Sequence, residues 1–466
     1  MIRTRNLLLS LTLGILAGAS SALETAAQHY QHAQTLMASV HYDGNVFGTH
    51  VEIEGDLVIV RSGTRYATSD VPRTHIFQPS TEGIWEETHL IGYDDLLPPG
   101  DSFADRFTRG LYIGQETALS NGTIIIGQTF GDLGSHLDAV TFAELGEHGW
   151  QASKPGLKTP AMLEYSPGYT APGRSVAISG ETAIAGDTHG SRDGRSSDNE
   201  GVILVYEKDN SGQWRAEQLI SPNNFGSFSM SQIGYSVDLS GDTAISITHP
   251  GSRIGAGTRS VGLYFFDRDS SGQWTQTDQF AFEAENRLPP PEEFTLLDSF
   301  RSGSIRLEGD VAVLRGVDES LIMTRTLQQA GGTPAKWEES TRLQGANSSS
   351  GRTVDIEGNI LAIGMAGETG EPNRVELYRR DTQNSWNIFD TITSPDSDYD
   401  PFFGTSVSLD NGRLLVGAGP YLGTSEVPGA AFLFVNVPEP ASAFLLVLSL
   451  ALLAPKRTRR LVPHNR

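Results

Sequence analysis

Gly234-Tyr235-Ser236-Val237-Asp238-Leu239-Ser240-Gly241-Asp242-Thr243-Ala244-Ile245 is the stretch that decides the fold. It reads as a strand, a two-residue turn and a second strand. The same sentence recurs from Gly48, Gly114, Gly173, Ser302, Gly351 and Gly404, seven copies in all. The first apolar position is Val51, Thr117, Val176, Val237, Ile305, Val354 and Val407; the next, two residues on, is Ile53, Leu119, Ile178, Leu239, Leu307, Ile356 and Leu409. The turns are Gly55-Asp56, Asn121-Gly122, Gly180-Glu181, Gly241-Asp242, Gly309-Asp310, Gly358-Asn359 and Asn411-Gly412. Gly, Asn and Asp there supply the positive φ that tight hairpins need. A repeat of this period built from short strands predicts a propeller or array.

Six tryptophans run in phase with the repeat: Trp85, Trp150, Trp214, Trp274, Trp337 and Trp386. Before each comes an apolar run, such as Val202-Ile203-Leu204-Val205-Tyr206, and a polar turn such as Asp209-Asn210-Ser211-Gly212-Gln213. One repeat is therefore four strands: inner, second, third, and an outer strand opened by Trp. A four-stranded sheet cannot cover both its faces, and seven packed radially cover one another's. The expected fold is all-β, a seven-bladed propeller of four-stranded antiparallel blades. A signal helix at the N-terminus and a hydrophobic helix at the C-terminus flank it.

The seventh repeat stops at Ala431-Phe432-Leu433-Phe434-Val435 without a Trp strand. Tyr30-Gln31-His32-Ala33-Gln34-Thr35-Leu36 has the spacing of Trp337 to Leu343, with Tyr for Trp. Residues near 29–38 are predicted to pair with the third strand of the last blade and close the ring. Closure removes free sheet edges.

Gly-x-Ser-Val-x-Leu-x-Gly-Asp followed by a Val/Ile-rich strand ending Val416-Gly417-Ala418 resembles the FG-GAP repeat, the blade of integrin-α-type propellers and of many bacterial surface proteins. Phe47-Gly48 and Phe403-Gly404 keep the Phe-Gly pair, and the likeness covers nearly all of residues 29–435. Such blades often hold a calcium loop between the first two strands. Here that loop is contracted to the bare turn in every blade, so those calcium sites do not carry over.

The 466 residues contain 51 glycines and no cysteine, so no disulfide holds the chain and no thiol does chemistry. Net charge is −22. Arg3, Arg5, Lys456, Arg457, Arg459, Arg460 and Arg466 lie in the two ends, against Glu439 alone among the acids, so the body between is more acidic still. Such a body repels nucleic acid and anionic lipid.

Arg3 and Arg5, the apolar run Leu7 to Ala19 and Ser20-Ser21-Ala22 read as a signal peptide cut after Ala22. At the other end Val437-Pro438-Glu439-Pro440 precedes the apolar run Ala441 to Ala454 and the basic cluster Lys456 to Arg460. That order resembles the PEP-CTERM sorting signal. The resemblance implies an exosortase-type membrane protease as partner. It also implies delivery to the envelope, outer surface or extracellular matrix of a Gram-negative bacterium, with membrane contact only through this segment before processing. The domains are 1–22, signal peptide; 23–436, propeller; and 437–466, sorting segment.

Strands in a blade alternate in direction, so the loops alternate between faces. Inner-to-second and third-to-outer turns are short. The long connections, including Gly92 to Leu111, Asp187 to Glu200, His249 to Ser260, Glu283 to Phe300 and Ser394 to Pro401, gather on the other face. Loops on a rigid scaffold carry function, so recognition is expected there. Tyr165, Tyr169, Phe225, Phe228 and Tyr399 are candidates for stacking on sugar rings. Asp396, Asp398 and Asp400 alternate along one loop and are the candidate Ca²⁺ ligands. Two mixed sets, Asp187, His189, Asp193 and Asp198, and Asp132, His136 and Asp138, read more simply as solvated loop. Asp238, Arg306 and Asp355 occupy matching inner-strand positions in adjacent blades and are predicted to meet near the axis.

The expected function is a non-catalytic binding or adhesion module for polysaccharide or another surface protein, with no cofactor beyond that calcium. No metalloprotease helix, phosphate loop or nucleophile elbow is present. The alternative is an extracellular glycan hydrolase or lyase, for which Asp94, Asp95, Asp101 and Asp105 are the first acids to test, since a glycosidase needs paired carboxylates.

Overall fold

The computed structural model describes residues 28–39, 46–63, 73–92, 112–129, 140–146, 149–153, 156–157, 173, 175–188, 201–222, 232–248, 260–283, 305–316, 319–326, 335–344, 353–365, 372–419 and 428–438. The chain divides into two units. Residues 32–434 carry the propeller. Residues 1–31 with 435–466 form the other unit, described only in the first four residues of the strand Gln28–Leu36 and the last four of the strand Ala430–Pro438. The signal and tail helices expected for residues 1–22 and 441–454 lie outside the described residues. Among the described residues no helix is long and apolar enough to cross a membrane.

Seven sheets follow one another along the chain, each with the strand order the repeat predicts. Blade four is representative: inner strand Ile233–Ser240, second Thr243–Thr248, third Ser260–Arg268 and outer Trp274–Glu283, all antiparallel. Each hairpin turn opens on a residue with positive φ: Gly55, Asn121, Gly180, Gly241, Gly309, Gly358 and Asn411. Blade three departs from the pattern. The two-residue strand Gly156–Leu157, from the connection out of blade two, adds in parallel to its outer strand Trp214–Ile220. The last third strand, Ala430–Pro438, also runs further than expected. It takes Val437 and Pro438, the first two residues of the tail motif, into regular structure.

Blades pack face to face through the second and third strands. Ile245, Leu263 and Phe265 of blade four share one core with Ile305, Leu314 and Trp337 of blade five. Trp85, Trp214, Trp274, Trp337 and Trp386 are wedges between blades. Trp337 stacks on Phe265 of the preceding blade at 4.3 Å, and Trp214 on Phe142 at 4.2 Å. Four residues after its Trp, the outer strand reaches forward to the next Trp. Gln218 donates to the Trp274 carbonyl at 2.9 Å and accepts its N–H at 3.0 Å, and Asp278 accepts the Trp337 N–H at 3.1 Å.

The strand Gln28–Leu36 takes the outer place in blade seven, beside Ala430–Pro438. Gln34, four residues after Tyr30, makes the same pair of bonds to Trp85 of blade one, at 2.7 and 2.9 Å. The His32 ring lies 6.0 Å from Phe432 and 5.7 Å from Phe434. The beginning of the chain thus closes the ring in the register set by Tyr for Trp.

The inner strands are tied to one another by side chains. The residue before each hairpin accepts the backbone N–H of the next blade's hairpin. Glu54 accepts from Asn121, Ser120 from Gly180, Ser179 from Gly241, Ser240 from Gly309, Glu308 from Gly358, Glu357 from Asn411, and Asp410 from Gly55. The circle returns to its start after seven bonds. It satisfies inner-edge N–H groups that would otherwise have no partner. Its sequence signature is a Ser, Asp or Glu before every turn.

Hairpins and third-to-outer turns lie on one face, joined by backbone bonds such as Arg268 N–H to the Asp242 carbonyl at 2.9 Å and Arg325 N–H to Asp310 at 2.8 Å. This is the turn face. The strand ends that flank the long connections lie on the opposite face.

Candidate functional site

Along the inner strands the two apolar residues pack against the preceding blade, and the residue between them faces the following blade, as Ala177, Asp238, Asp355 and Ser408 do. Ile305 and Leu307 are buried, while Arg306 between them is half-buried. Arg306 Nε lies 3.2 Å from Asp355 Oδ1, with side chains only 19% and 16% exposed. On the other side Asp238 Oδ2 accepts the Leu307 N–H at 2.6 Å, and Asp355 Oδ2 accepts the Leu409 N–H at 2.6 Å. Asp355 therefore pairs with the guanidinium, Asp238 acts on it electrostatically, and each carboxylate also staples the following blade.

The charges do not cancel. Burial pushes Asp238 up to about 6, against the opposing pull of Arg306 and the N–H groups of Leu307 and Leu239, while Asp355 adds repulsion. Asp355 is raised in the same way, by burial first and then by Glu52, against Arg306 and the Leu409 N–H. For Arg306, burial works against its charge, but Asp238, Asp355, Glu52 and Glu116 outweigh it and raise its pKa. Arg306 thus stands among the negative charges of Asp238, Asp355, Glu52 and Glu116.

A second constellation joins three strands of blade one. Ser62 Oγ is 2.9 Å from His75 Nε2, and His75 Nδ1 is 3.2 Å from Glu87 Oε1. Glu87 Oε2 accepts the Ser39 N–H at 2.8 Å. Burial raises the Glu87 pKa, but the bonds from His75 and Ser39 outweigh it, so the group sits below its ordinary value. The connectivity is that of a nucleophile, base and orienting acid. Ser62 and His75 are each 0% exposed, however, and Phe47 packs edge-on to His75 at 5.1 Å. A nucleophile must meet substrate, so this is a tie between strands and the segment that follows the closing strand. Nothing in the spacing of Ser62, His75 and Glu87 signals it; only cross-strand register brings them together.

The connection Ser394 to Pro401 is described in full. Asp396 caps a single 3-10 turn, Ser397–Tyr399, its Oδ1 accepting the Asp398 N–H at 3.1 Å. Asp398 lies in that turn, and Asp400 follows it as the C-cap. Among the described residues no group of three or more His, Asp or Glu is placed to hold a metal ion. Tyr399, a candidate for sugar stacking, is instead buried, its ring 5.4 Å from Phe432. Asp187 is fully buried at the end of the strand Thr182–Asp187. Asp94, Asp95, Asp101, Asp105, Asp132, His136, Asp138, Tyr165, Tyr169, His189, Asp193, Asp198, Phe225 and Phe228 lie outside the described residues, as do Ala22, Glu439 and Pro440.

No family model matches this sequence, and no curated protein does. Solved structures do resemble its fold. One is the polysaccharide lyase Uly1, with a TM-score of 0.46 at 11% identity over 87% of this chain and 92% of that one. Another is the acylaminoacyl peptidase of Pyrococcus horikoshii, with a TM-score of 0.42 at 11% identity, covering 87% of this chain and 54% of the other. Likenesses this distant carry nothing about substrate or chemistry. The fold is a seven-bladed β-propeller.

Proposed function

We propose that this chain is an exported bacterial protein of the cell surface or extracellular matrix, whose propeller is a non-catalytic binding module. The long connections on the face opposite the turns are its contact surface, and polysaccharide or another surface protein is its ligand. The blades are of FG-GAP type. The leader is removed after Ala22, and the Val437-Pro438-Glu439-Pro440 tail is read by an exosortase-type protease of a Gram-negative bacterium.

The observation that carries this reading is the closed circle of inter-blade bonds, from Glu54 round to Asp410 and back to Gly55. A platform tied this way fixes the strand ends from which the connections leave, and preorganisation of that kind lowers the cost of recognition. Short turns on one face and long connections on the other make that surface one-sided.

The test is to incubate the mature protein with acidic and neutral polysaccharides while following both binding and new reducing ends. Saturable binding without new ends supports the module. Steady turnover overturns it in favour of a glycan hydrolase or lyase, and loss of that turnover in Asp105→Asn would locate the chemistry.

A further inference from the structure

On the turn face, three consecutive seams between blades are closed by the same polar trio. The second strand opens with Thr, the residue across from it on the third strand is acidic, and a base from the next blade pairs with that acid. Thr123 stands in register with Glu144, and Lys208 of blade three reaches Glu144 at 2.9 Å. Thr182 and Glu207 are met by Arg268 of blade four, 2.7 Å from Glu207. Thr243 and Asp267 are met by Arg325 of blade five, which donates to both at 3.0 Å.

The seam between blades one and two has none of the three. One step beyond the Val58–Phe77 pair, Leu57 stands where Thr would and Gln78 where the acid would. Leu145 pairs with Trp150 as Lys208 pairs with Trp214, so it takes the place of the base. Leu57 leans toward blade two, its Cδ1 4.0 Å from the point where a Cβ on Gly122 would stand. Leu145 is 51% exposed, and Ile84, in the turn before Trp85 on the same face, is 48% exposed. A single exposed aliphatic side chain needs no explanation. Here three matched positions lose their charge and polarity together, beside seams that keep theirs.

We propose that the turn face of blades one and two is a docking site for a basic, amphipathic segment of a partner protein, seated by its apolar side against Leu57, Ile84 and Leu145. It lies on the face opposite the contact surface proposed above and does not depend on that reading.

Charge selects this occupant. Asp56 immediately precedes Leu57, and Glu82 and Glu86 flank Ile84; all three are exposed and form no ion pair among the described residues. The charges acting on Glu54 are those of Asp410 and Glu52, both acidic. Two bases border the site, and both are taken. Lys208 is held by Glu144, next to Leu145, and Arg413 is held by Asp410 with its guanidinium 5.7 Å from the Trp85 ring. Further round the face Arg268, Arg325 and Arg380 are paired with Glu207, Asp267 and Asp310. The site is thus apolar at its centre and acidic at its edge. A second copy of this chain, or an anionic bilayer, would bring like charge to it. Lys and Arg flanking an apolar helix face bring the opposite sign.

The probe is a dye-labelled peptide made of two copies of Leu-Lys-Lys-Leu-Leu-Lys-Leu, compared with a version carrying Ser for every Leu. Fluorescence anisotropy follows its binding to the mature protein. Saturable binding of the Leu peptide alone is the expected result, weakened about tenfold or more by Leu145→Lys and unchanged by Ile388→Lys, the exposed apolar position on blade six. Ile84→Lys, in an exposed turn, is the second variant should Leu145→Lys lose its native melting transition. Equal binding by the parent and both variants overturns the proposal. So does an equal loss in Ile388→Lys, which would mean indiscriminate apolar adsorption, or equal binding of the Ser peptide, which would mean charge alone. Sedimentation of the protein by itself supplies the last outcome. A dimer that Leu145→Lys abolishes would make a second copy the occupant and overturn the basic segment.

Discussion

Arg306 of blade five reaches Asp355 of blade six at 3.2 Å, and Leu307, the residue after it, donates its N–H to Asp238 of blade four at 2.6 Å. Three blades are thus linked through two consecutive residues. Replacing Arg306 with Met keeps the length of the side chain but takes from Asp355 its partner and from Asp238 the opposing positive charge. Removing one partner of a buried pair is costly, so Arg306→Met is expected to lower unfolding stability by about 2–4 kcal/mol. Arg306→Met combined with Asp355→Asn should recover a large part of that loss. Urea melts of the single and double variants check this, and a double variant no better than the single one would count against direct pairing.

The same locus sets a pH dependence. Asp238 is pushed up to about 6, chiefly by burial. In the unfolded chain it titrates near an ordinary value of roughly 4. Across that window the folded state holds the proton and the unfolded state has released it, so stability falls as pH rises from about 4 to 6. Below the unfolded value the contribution is fully present. The net acidity of the whole chain acts in the same direction, and Asp238→Asn separates the two. The variant should melt with a shallower decline between pH 4 and 6 than the parent, visible by calorimetry. Parallel curves would remove Asp238 as a source of the slope.

Much of this was legible in the sequence because the repeat is a register. Once Gly241-Asp242 is a hairpin, Asp238 and its counterparts Arg306 and Asp355 must face the same way, since side chains alternate along a strand. Tyr30 in phase with the tryptophans carried ring closure for the same reason. The circle of acceptors was equally open to reading. Glu54, Ser120, Ser179, Ser240, Glu308, Glu357 and Asp410 stand one before every turn. The Ser62, His75 and Glu87 tie was not legible, because it depends on pairing three strands whose connecting segment has no repeat length. Tyr399 read as a loop aromatic, and the aromatic cluster around Phe432 buries it. A short loop has no periodicity to reveal its inward face.

Ring closure makes a separate prediction at Gln34. Its side-chain amide donates to the Trp85 carbonyl and accepts the Trp85 N–H, at 2.7 and 2.9 Å. Gln34→Ala removes both bonds and leaves two backbone groups to be satisfied by water. A loss of about 1–2 kcal/mol is expected. Because the closing strand lies at an edge, native-state hydrogen exchange at Thr35 and Leu36 should speed up more than at Val58 to Val60 in the same molecule. Uniform acceleration across both segments would show that the strand is no separate latch. Gln34→Glu, which keeps one acceptor, should fall between the two.

Gly364 and Gly358 separate packing from backbone conformation within one blade. A Cβ on Gly364 would stand 2.0 Å from the Gly404 carbonyl oxygen of blade seven, a clash with backbone that cannot move aside alone. The same contact recurs between Gly186 and Gly234 and between Gly417 and Gly48, so close approach of adjacent blades demands glycine there. Gly358 is the opposite case. Its φ is +59°, and an added Cβ would meet nothing within 4 Å. Asn adopts such a backbone readily and already fills the equivalent turn position as Asn121 and Asn411. Gly358→Asn should therefore change stability by less than about 1 kcal/mol, the scale of ordinary surface substitutions. Gly364→Ala should cost about 2–3 kcal/mol, at the upper end for overpacking. Thermal melts of the two variants give the comparison. A Gly364→Ala protein as stable as its parent would mean that blades six and seven are not seated as closely as the Gly364–Gly404 contact requires.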